Sequence, residues 1–308
     1  MPELPEVEIA SRQLRSWLSG RRIVSARALR SRVIRGQAQA RFAGLSGHGL
    51  LDVERFGKWM LLSFDDGEGL LSHLGMTGKW VRRGASEPAA AWVRASLELD
   101  DGSALDYRDM RLFGRLIRGK TEELRQAKAL RALGPDPLPG IDVERLHAAL
   151  VRTRRSMKEA LMDQRTLAGL GNIQVAEALH RAHLDPRRPA TTMTREETAR
   201  LASAIGESLR ATLRDEDSPE PITYVEEGGE NVFLVYDRLG QPCSTCGTPI
   251  ERIVQGGRST FFCPTCQPRW RGRGAAGKKA RRRAPVRRLR VPRRGRSRRR
   301  PLAARKRR

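Results

Sequence analysis

The sequence predicts an α+β protein: an N-terminal helix leading into a β-sandwich or flattened barrel, then a helical region, then a short β-rich module. Three observations predict it. Val7, Ile9, Leu14, Trp17 and Leu18 recur at roughly helical spacing between Pro5 and Gly20, which suit a helix start and stop. Short apolar runs follow, punctuated by Asp65-Asp66-Gly67 and Asp100-Asp101-Gly102, turn signals of strand-rich chain. Beyond Gly134-Pro135-Asp136-Pro137-Leu138-Pro139-Gly140, which breaks regular structure and reads as a linker, the spacing becomes helical.

Taken in order, strands are predicted at Leu50–Val53, Trp59–Phe64 and Gly69–Leu74. Helices are predicted at Val143–Arg152, Met157–Met162, Ile173–Ala182 and Thr194–Arg214. Between the second and third lies Ala168-Gly169-Leu170-Gly171-Asn172. Two helices joined by a glycine-marked turn can present backbone N–H groups to a phosphate. The division expected is 1–130 for the β-rich part, 131–142 for the linker, 143–225 for the helical part, 226–268 for the cysteine module and its preceding loop, and 269–308 for a tail.

Charge separates the tail from the rest. The 308 residues carry a net charge of +25. Residues 271–308 hold 20 Lys and Arg and no acidic residue, leaving 40 basic and 35 acidic residues upstream. So arginine-rich a segment buries too little apolar surface to fold alone. It reads as a counterion-releasing arm for nucleic acid, or more plainly as a solvated extension that binds any polyanion. No run of 18 apolar residues suggests a membrane span. The acidic, proline-rich start lacks the basic and apolar regions of a signal peptide, so the cytoplasm, on the nucleoid, is the expected place of action.

The only cysteines, Cys243, Cys246, Cys263 and Cys266, form two Cys-x2-Cys pairs. Such pairs close a tetrahedral thiolate site around one Zn2+. Two disulfides or redox pairs are the alternatives, and a cytosolic setting disfavours stable disulfides. Four thiolates leave the metal no open position, so the site is expected to be structural. Gly256-Gly257-Arg258 falls at the tip of an expected hairpin, where arginine can meet a phosphate bidentately. The plainer reading is one more exposed arginine.

Six motifs occur together: Met1-Pro2-Glu3-Leu4-Pro5-Glu6-Val7-Glu8, Gly57-Lys58, His73-Leu74-Gly75-Met76, Arg111-Leu112-Phe113-Gly114, Gly169-Leu170-Gly171-Asn172-Ile173, and the four-cysteine module carrying Arg258. In content and order they resemble the formamidopyrimidine-DNA glycosylases of the broader Fpg/Nei superfamily, from Met1 to about Gln267. The resemblance implies an N-terminal β-sandwich with its helix, a helix-two-turn-helix domain and a zinc finger on a β-hairpin. It also implies a monomer that binds double-stranded DNA, carrying a damaged base or an abasic site, between its two halves, with no membrane partner.

It further implies that the chain is a glycosylase and an abasic-site lyase. Pro2, freed by removal of Met1, becomes the Schiff-base nucleophile; an α-amine titrates near pH 8, so part of it is neutral at physiological pH. Composition and helix rules alone would make Pro2 a helix starter. Glu3 becomes the general acid/base and Glu6 a supporting carboxylate, although both also suit a helix N-terminus electrostatically. Lys58 and Arg258 become proton donors and phosphate contacts. Asn172 grips a phosphate with Arg258. Met76, Arg111 and Phe113 fill the gap left by an everted nucleotide and meet the orphaned base, whereas Met and Phe more often pack in cores. Lys158 is expected among the DNA contacts.

Three departures stand out. Leu112 replaces a basic residue. The segment from Thr223 to Arg238 is shorter than the loop that caps 8-oxoguanine in many members. Gln174 replaces an aromatic residue, and Glu177 matches a lesion-pocket glutamate. Oxidised pyrimidines, as for an endonuclease VIII-like enzyme, ring-opened purines and hydantoins are therefore open alongside 8-oxoguanine. A non-catalytic, zinc-dependent DNA-binding protein is the reading from another class, and the intact Pro2-Glu3 pair argues against it.

Overall fold

The computed structural model describes residues 2–34, 39–215 and 231–272. Its first helix, α1 (Leu4–Leu18), carries Pro5 in its first turn, where a missing N–H costs nothing. Gly20, with φ +68°, follows the last turn. Strands β1 (Ile23–Ala28) and β2 (Leu50–Phe56) flank the short helix α2 (Gln39–Ala43). Then come β3 (Trp59–Phe64), β4 (Glu68–His73), β5 (Lys79–Arg83), β6 (Val93–Leu99), β7 (Ala104–Arg108) and β8 (Arg115–Lys120). They form two antiparallel four-stranded sheets, ordered β1-β6-β7-β5 and β2-β3-β4-β8. Val53, Leu62 and Phe64 from one sheet share a core with Leu97, Leu105 and Tyr107 from the other, as in a β-sandwich.

All six residues of β3 are buried. Its alternate side chains face opposite ways, so Met60, Leu62 and Phe64 fill the sandwich. Trp59 and Leu61 pack outward beneath α3 (Thr121–Arg125) and α4 (Lys128–Arg131), against Leu124 and Leu130. These two short helices were not foreseen; they cover a face that the continuous apolar run of β3 would otherwise expose.

The helical part holds α5 (Val143–Val151), α6 (Met157–Met162), α7 (Asn172–Arg181) and α8 (Arg195–Asp215), within a residue of the predicted bounds. Asp142 caps α5 by accepting from Arg145 N, and Ser156 caps α6 by accepting from Glu159 N, each satisfying an otherwise orphaned donor. Their core includes Leu150, Leu161, Val175, Leu179, Leu201 and Ile205. It also includes Leu4 from α1, whereas Val7, Leu14 and Leu18 of the same helix lie in the sandwich core. One helix thus joins both cores.

The segment expected as a linker is pinned. Ala168 N donates to Pro135 O and Gly134 N to Gln164 O. Asp136 accepts from Arg55 at 2.6 Å, and the same guanidinium donates to Glu8 on α1 at 2.7 Å. Its proline and glycine residues break regular structure, but these bonds hold the segment across the joint between the two cores.

Strands β9 (Glu251–Gln255) and β10 (Arg258–Phe262) form an antiparallel hairpin. Its core, with Ile250, Phe261 and Cys263, packs against Ala176 of α7. The described residues from Pro2 to Trp270 belong to one compact unit. The tail beyond residue 272, and residues 223–230 of the segment expected to be a shortened lesion cap, lie outside the described residues.

Candidate active site and DNA-binding surface

The site is built around the N-terminus of α7. Glu3 is 1% exposed. Its carboxylate accepts three backbone N–H groups: Gly171 at 2.9 Å, Ile173 at 2.8 Å and Gln174 at 3.0 Å. The first N–H groups of a helix lack intrahelical partners and sit at its positive dipole end, so an anion from another element satisfies both. Leu4 N donates to Gly169 O at 3.0 Å. Gly169 has φ +90°, and a Cβ there would meet the Leu4 side chain at 2.8 Å. Glycine at this position gives both the left-handed turn and the close approach of α1.

Pro2 is buried immediately before Glu3. Glu6 is 5% exposed and accepts from Glu3 N at 2.8 Å. Burial, then the nearby Glu3 charge, raises its pKa to about 7. Lys58 follows Gly57, whose φ is +57° and which abuts the 168–169 turn. The Lys58 Nζ lies so close to the Glu3 cradle that a Cβ on Gly171 would be 2.7 Å from it. Burial lowers the Lys58 pKa; Glu3 and Glu6 oppose that shift, and Arg258 adds to it. Pro2, Glu3, Glu6 and Lys58 are thereby gathered at the joint between the two cores, with Arg258 near enough to be felt.

Arg258 is exposed as the first residue of β10, just beyond the Gly256-Gly257 tip. It borders a cleft of about 410 Å3 whose other walls include Arg155, Glu159, Met162 and Asp163. Asn172 is the first residue of α7, partly buried, and its side-chain oxygen has no partner among the described residues. Lys158 is placed unlike an exposed phosphate contact. It is 1% exposed, and its ammonium donates to Ser259 O and Thr260 Oγ1, both at 2.6 Å. Burial, then Arg258, lowers its pKa to about 8. Two acceptors on β10 satisfy the buried cation, so Lys158 ties α6 to the hairpin that carries Arg258.

Arg111 and Phe113 are exposed on the loop after β7, and the guanidinium lies 5.1 Å above the phenyl ring. Met76, partly buried, follows Gly75, whose Cα is packed against the Phe113–Gly114 backbone. Glycine at 75 is what lets the two turns meet. Asp109 organises the loop and was not anticipated from the sequence. Fully buried, its carboxylate accepts from Thr77 Oγ1 at 2.7 Å and from the backbone of Arg111, Leu112 and Gly114. Leu112 has φ +58°, a strained backbone for leucine that these bonds hold in place. An aspartate two residues before Arg111 is an Asx-turn signal and was readable as such.

Gln174 and Glu177 are also buried. The Gln174 amide donates to Thr212 Oγ1 at 2.9 Å and accepts from Ser208 Oγ at 2.8 Å, which anchors α7 to α8. Glu177 accepts from Leu234, Val235 and Tyr236 N at 2.8–3.0 Å. It holds the chain leading into the hairpin.

The cysteine sulfurs all lie within 4.8 Å of one another. Cys243 and Cys266 are 3.9 Å apart, Cys246 and Cys263 3.4 Å apart, and none is in a disulfide. Zn–S bonds of about 2.3 Å place tetrahedral sulfurs about 3.8 Å apart, so the donor set and its spacing fit one structural zinc. Burial and then the neighbouring sulfurs push up the Cys266 thiol, a penalty that a bound dication relieves.

Three family models match the chain: the formamidopyrimidine-DNA glycosylase N-terminal domain over residues 1–116, its H2TH domain over 133–220, and the zinc finger found in FPG and IleRS over 240–269. A formamidopyrimidine-DNA glycosylase from Pelotomaculum thermopropionicum is 38% identical, with 87% of this chain and 99% of that protein covered. The crystal structure of the MutM (Fpg) protein from Thermus thermophilus is 37% identical with a TM-score of 0.74, covering 86% and 98% of the two chains. The Lactococcus lactis Fpg complex with Fapy-dG DNA is 29% identical with a TM-score of 0.79, covering 87% and 100%.

Proposed function

The chain belongs to the formamidopyrimidine-DNA glycosylase family, and on that footing we propose that it removes oxidised or ring-opened bases from double-stranded DNA through Pro2. The observation that carries this reading is the Glu3 cradle. A buried carboxylate next to Pro2 is held by three amides of α7, with the Lys58 ammonium beside it.

In the reaction we propose, the neutral secondary amine of Pro2, freed of Met1, attacks the sugar C1′. The N–C1′ bond forms as the glycosidic bond breaks, and the base leaves with the bonding pair. Glu3 supplies the proton that opens the sugar ring and takes up the proton released from the Pro2 nitrogen. Ring opening gives an iminium ion. This cation withdraws electrons from C2′, so loss of a C2′ proton expels the 3′ phosphate, and a second elimination expels the 5′ phosphate. Lys58 and Arg258 neutralise flanking phosphates and donate protons to the leaving oxygens. Asn172 holds the backbone beside them. Met76, Arg111 and Phe113, brought together by Gly75 and Asp109, occupy the gap left by the everted nucleotide. Zinc held by the four cysteines supports the hairpin that carries Arg258 and takes no part in bond breaking.

Among the described residues no helix is long and apolar enough to cross a membrane. Borohydride trapping tests the mechanism. With duplex DNA carrying an abasic site or 8-oxoguanine, the processed protein yields a covalent adduct, and Pro2→Gly or a Met1-retaining form yields far less. A Met1-retaining form that traps at the full rate overturns the assignment of Pro2.

A further inference from the structure

The ring of His180 is buried on α7, 2% exposed, and faces the cysteine cluster. Its Nε2 lies 3.5 Å from Cys243 Sγ. Its Nδ1 is also buried and has no hydrogen-bond partner among the described residues. Cys243 itself is 3% exposed, so water offers its sulfur little solvation.

These facts select a tautomer. With the proton on Nδ1, a buried N–H is orphaned and the Nε2 lone pair opposes the sulfur. With the proton on Nε2, the ring donates to the sulfur, and only an acceptor is left unpaired. Only the second arrangement gains a hydrogen bond, and a buried polar group left without one is costly. The contact is thus of the kind that second-layer donors make to metal-bound thiolates, spreading their charge and fixing their direction.

We propose that His180 is the outer hydrogen-bond donor of the zinc centre, through Nε2–H to the Cys243 sulfur, and that this bond fastens α7 to the finger. The first turn of the same helix supplies the amides that hold Glu3, and it begins at Asn172. Zinc, helix and carboxylate then form one connected unit. This inference goes beyond the glycosylase reading and does not depend on it.

Zinc transfer from the purified, zinc-loaded protein to a chromogenic chelator measures the bond without DNA. His180→Phe keeps a ring of similar size and removes the donor, and zinc release is expected to rise about 10- to 100-fold. His180→Gln keeps an N–H donor and is expected to stay within about threefold of the unmutated protein. Release at the unmutated rate from His180→Phe overturns the proposal. Equally fast release from both variants also overturns it, because space filling rather than donation would then matter. The unmutated protein gives an independent answer if the variants fold poorly. Long-range 15N–1H spectra are expected to show the proton of His180 on Nε2, and a proton on Nδ1 refutes the bond.

Discussion

Helix α7 is held through two carboxylates that look alike and differ in what surrounds them. Glu3 and Glu177 are each at most 2% exposed, and each accepts three backbone N–H groups. Glu3 reaches α7 from another element and meets the helix at its start. Glu177 sits on the helix and reaches the chain that enters the zinc hairpin. Beside Glu3 stand Pro2, Glu6 and the Lys58 ammonium, whereas the charge acting on Glu177 is Arg181. Identical hydrogen-bond counts therefore do not mark a catalytic group. On the proposed mechanism, what sets Glu3 apart is Pro2 beside it and Lys58, a cation whose pKa burial lowers.

This contrast predicts unequal losses. Glu3→Gln replaces an acceptor oxygen with an NH2 group facing backbone donors. It is expected to cost about 1–3 kcal/mol of stability and about 10²- to 10⁴-fold in base excision. Denaturant titration and single-turnover excision measure the two. Glu177→Gln meets the same difficulty at Leu234, Val235 and Tyr236. A similar stability loss is expected, with single-turnover excision by the folded fraction within about tenfold. If the two variants lose excision to the same depth, the distinction between the ends of α7 fails.

A smaller effect sharpens the electrostatic side of the comparison. His73 lies on the Lys58 side, and burial, followed by Lys58 and Arg115, lowers its pKa to about 4. Its Nδ1 accepts from Gly75 N at 3.0 Å, which the neutral ring can do. A histidine whose folded pKa lies below 6.5 contributes stability above pH 6.5 and loses it as pH falls toward 4. His73→Asn retains an acceptor for Gly75 and cannot be protonated. Between pH 7 and pH 4 it is expected to lose roughly 2–3 kcal/mol less stability than the unmutated protein. Parallel pH–stability curves for the two proteins count against the assignment.

Much of this architecture was legible because the relevant signals are local. Helical spacing, Asp-Asp-Gly turns and cysteine pairs report on neighbours within a few residues, and α5 to α8 fall within a residue of expectation. The motifs around Pro2, Lys58, Asn172 and Arg258 carried the family resemblance, which the three family models bear out, because a family is marked by residue types in a fixed order. What escaped depends on distant partners. The tie from Lys158 to β10 is invisible in the sequence, because Ser259 and Thr260, which accept its hydrogen bonds, lie a hundred residues on. Gln174 reads as a misfit until Ser208 and Thr212 close around its amide. The bond from Glu177 to the backbone of 234–236 is likewise invisible in the sequence, because its partners lie 57–59 residues on.

The course of α1 has a consequence for when the chemistry becomes possible. Leu4 is locked into the helical core and Val7 into the sandwich core, and the partners of Glu3 lie 168–171 residues downstream. A truncated or half-folded chain therefore carries the proline and the glutamate but no site. On the proposed mechanism, the amine of Pro2 would be armed only after both halves have closed on its helix, so an unfinished molecule would not cut DNA.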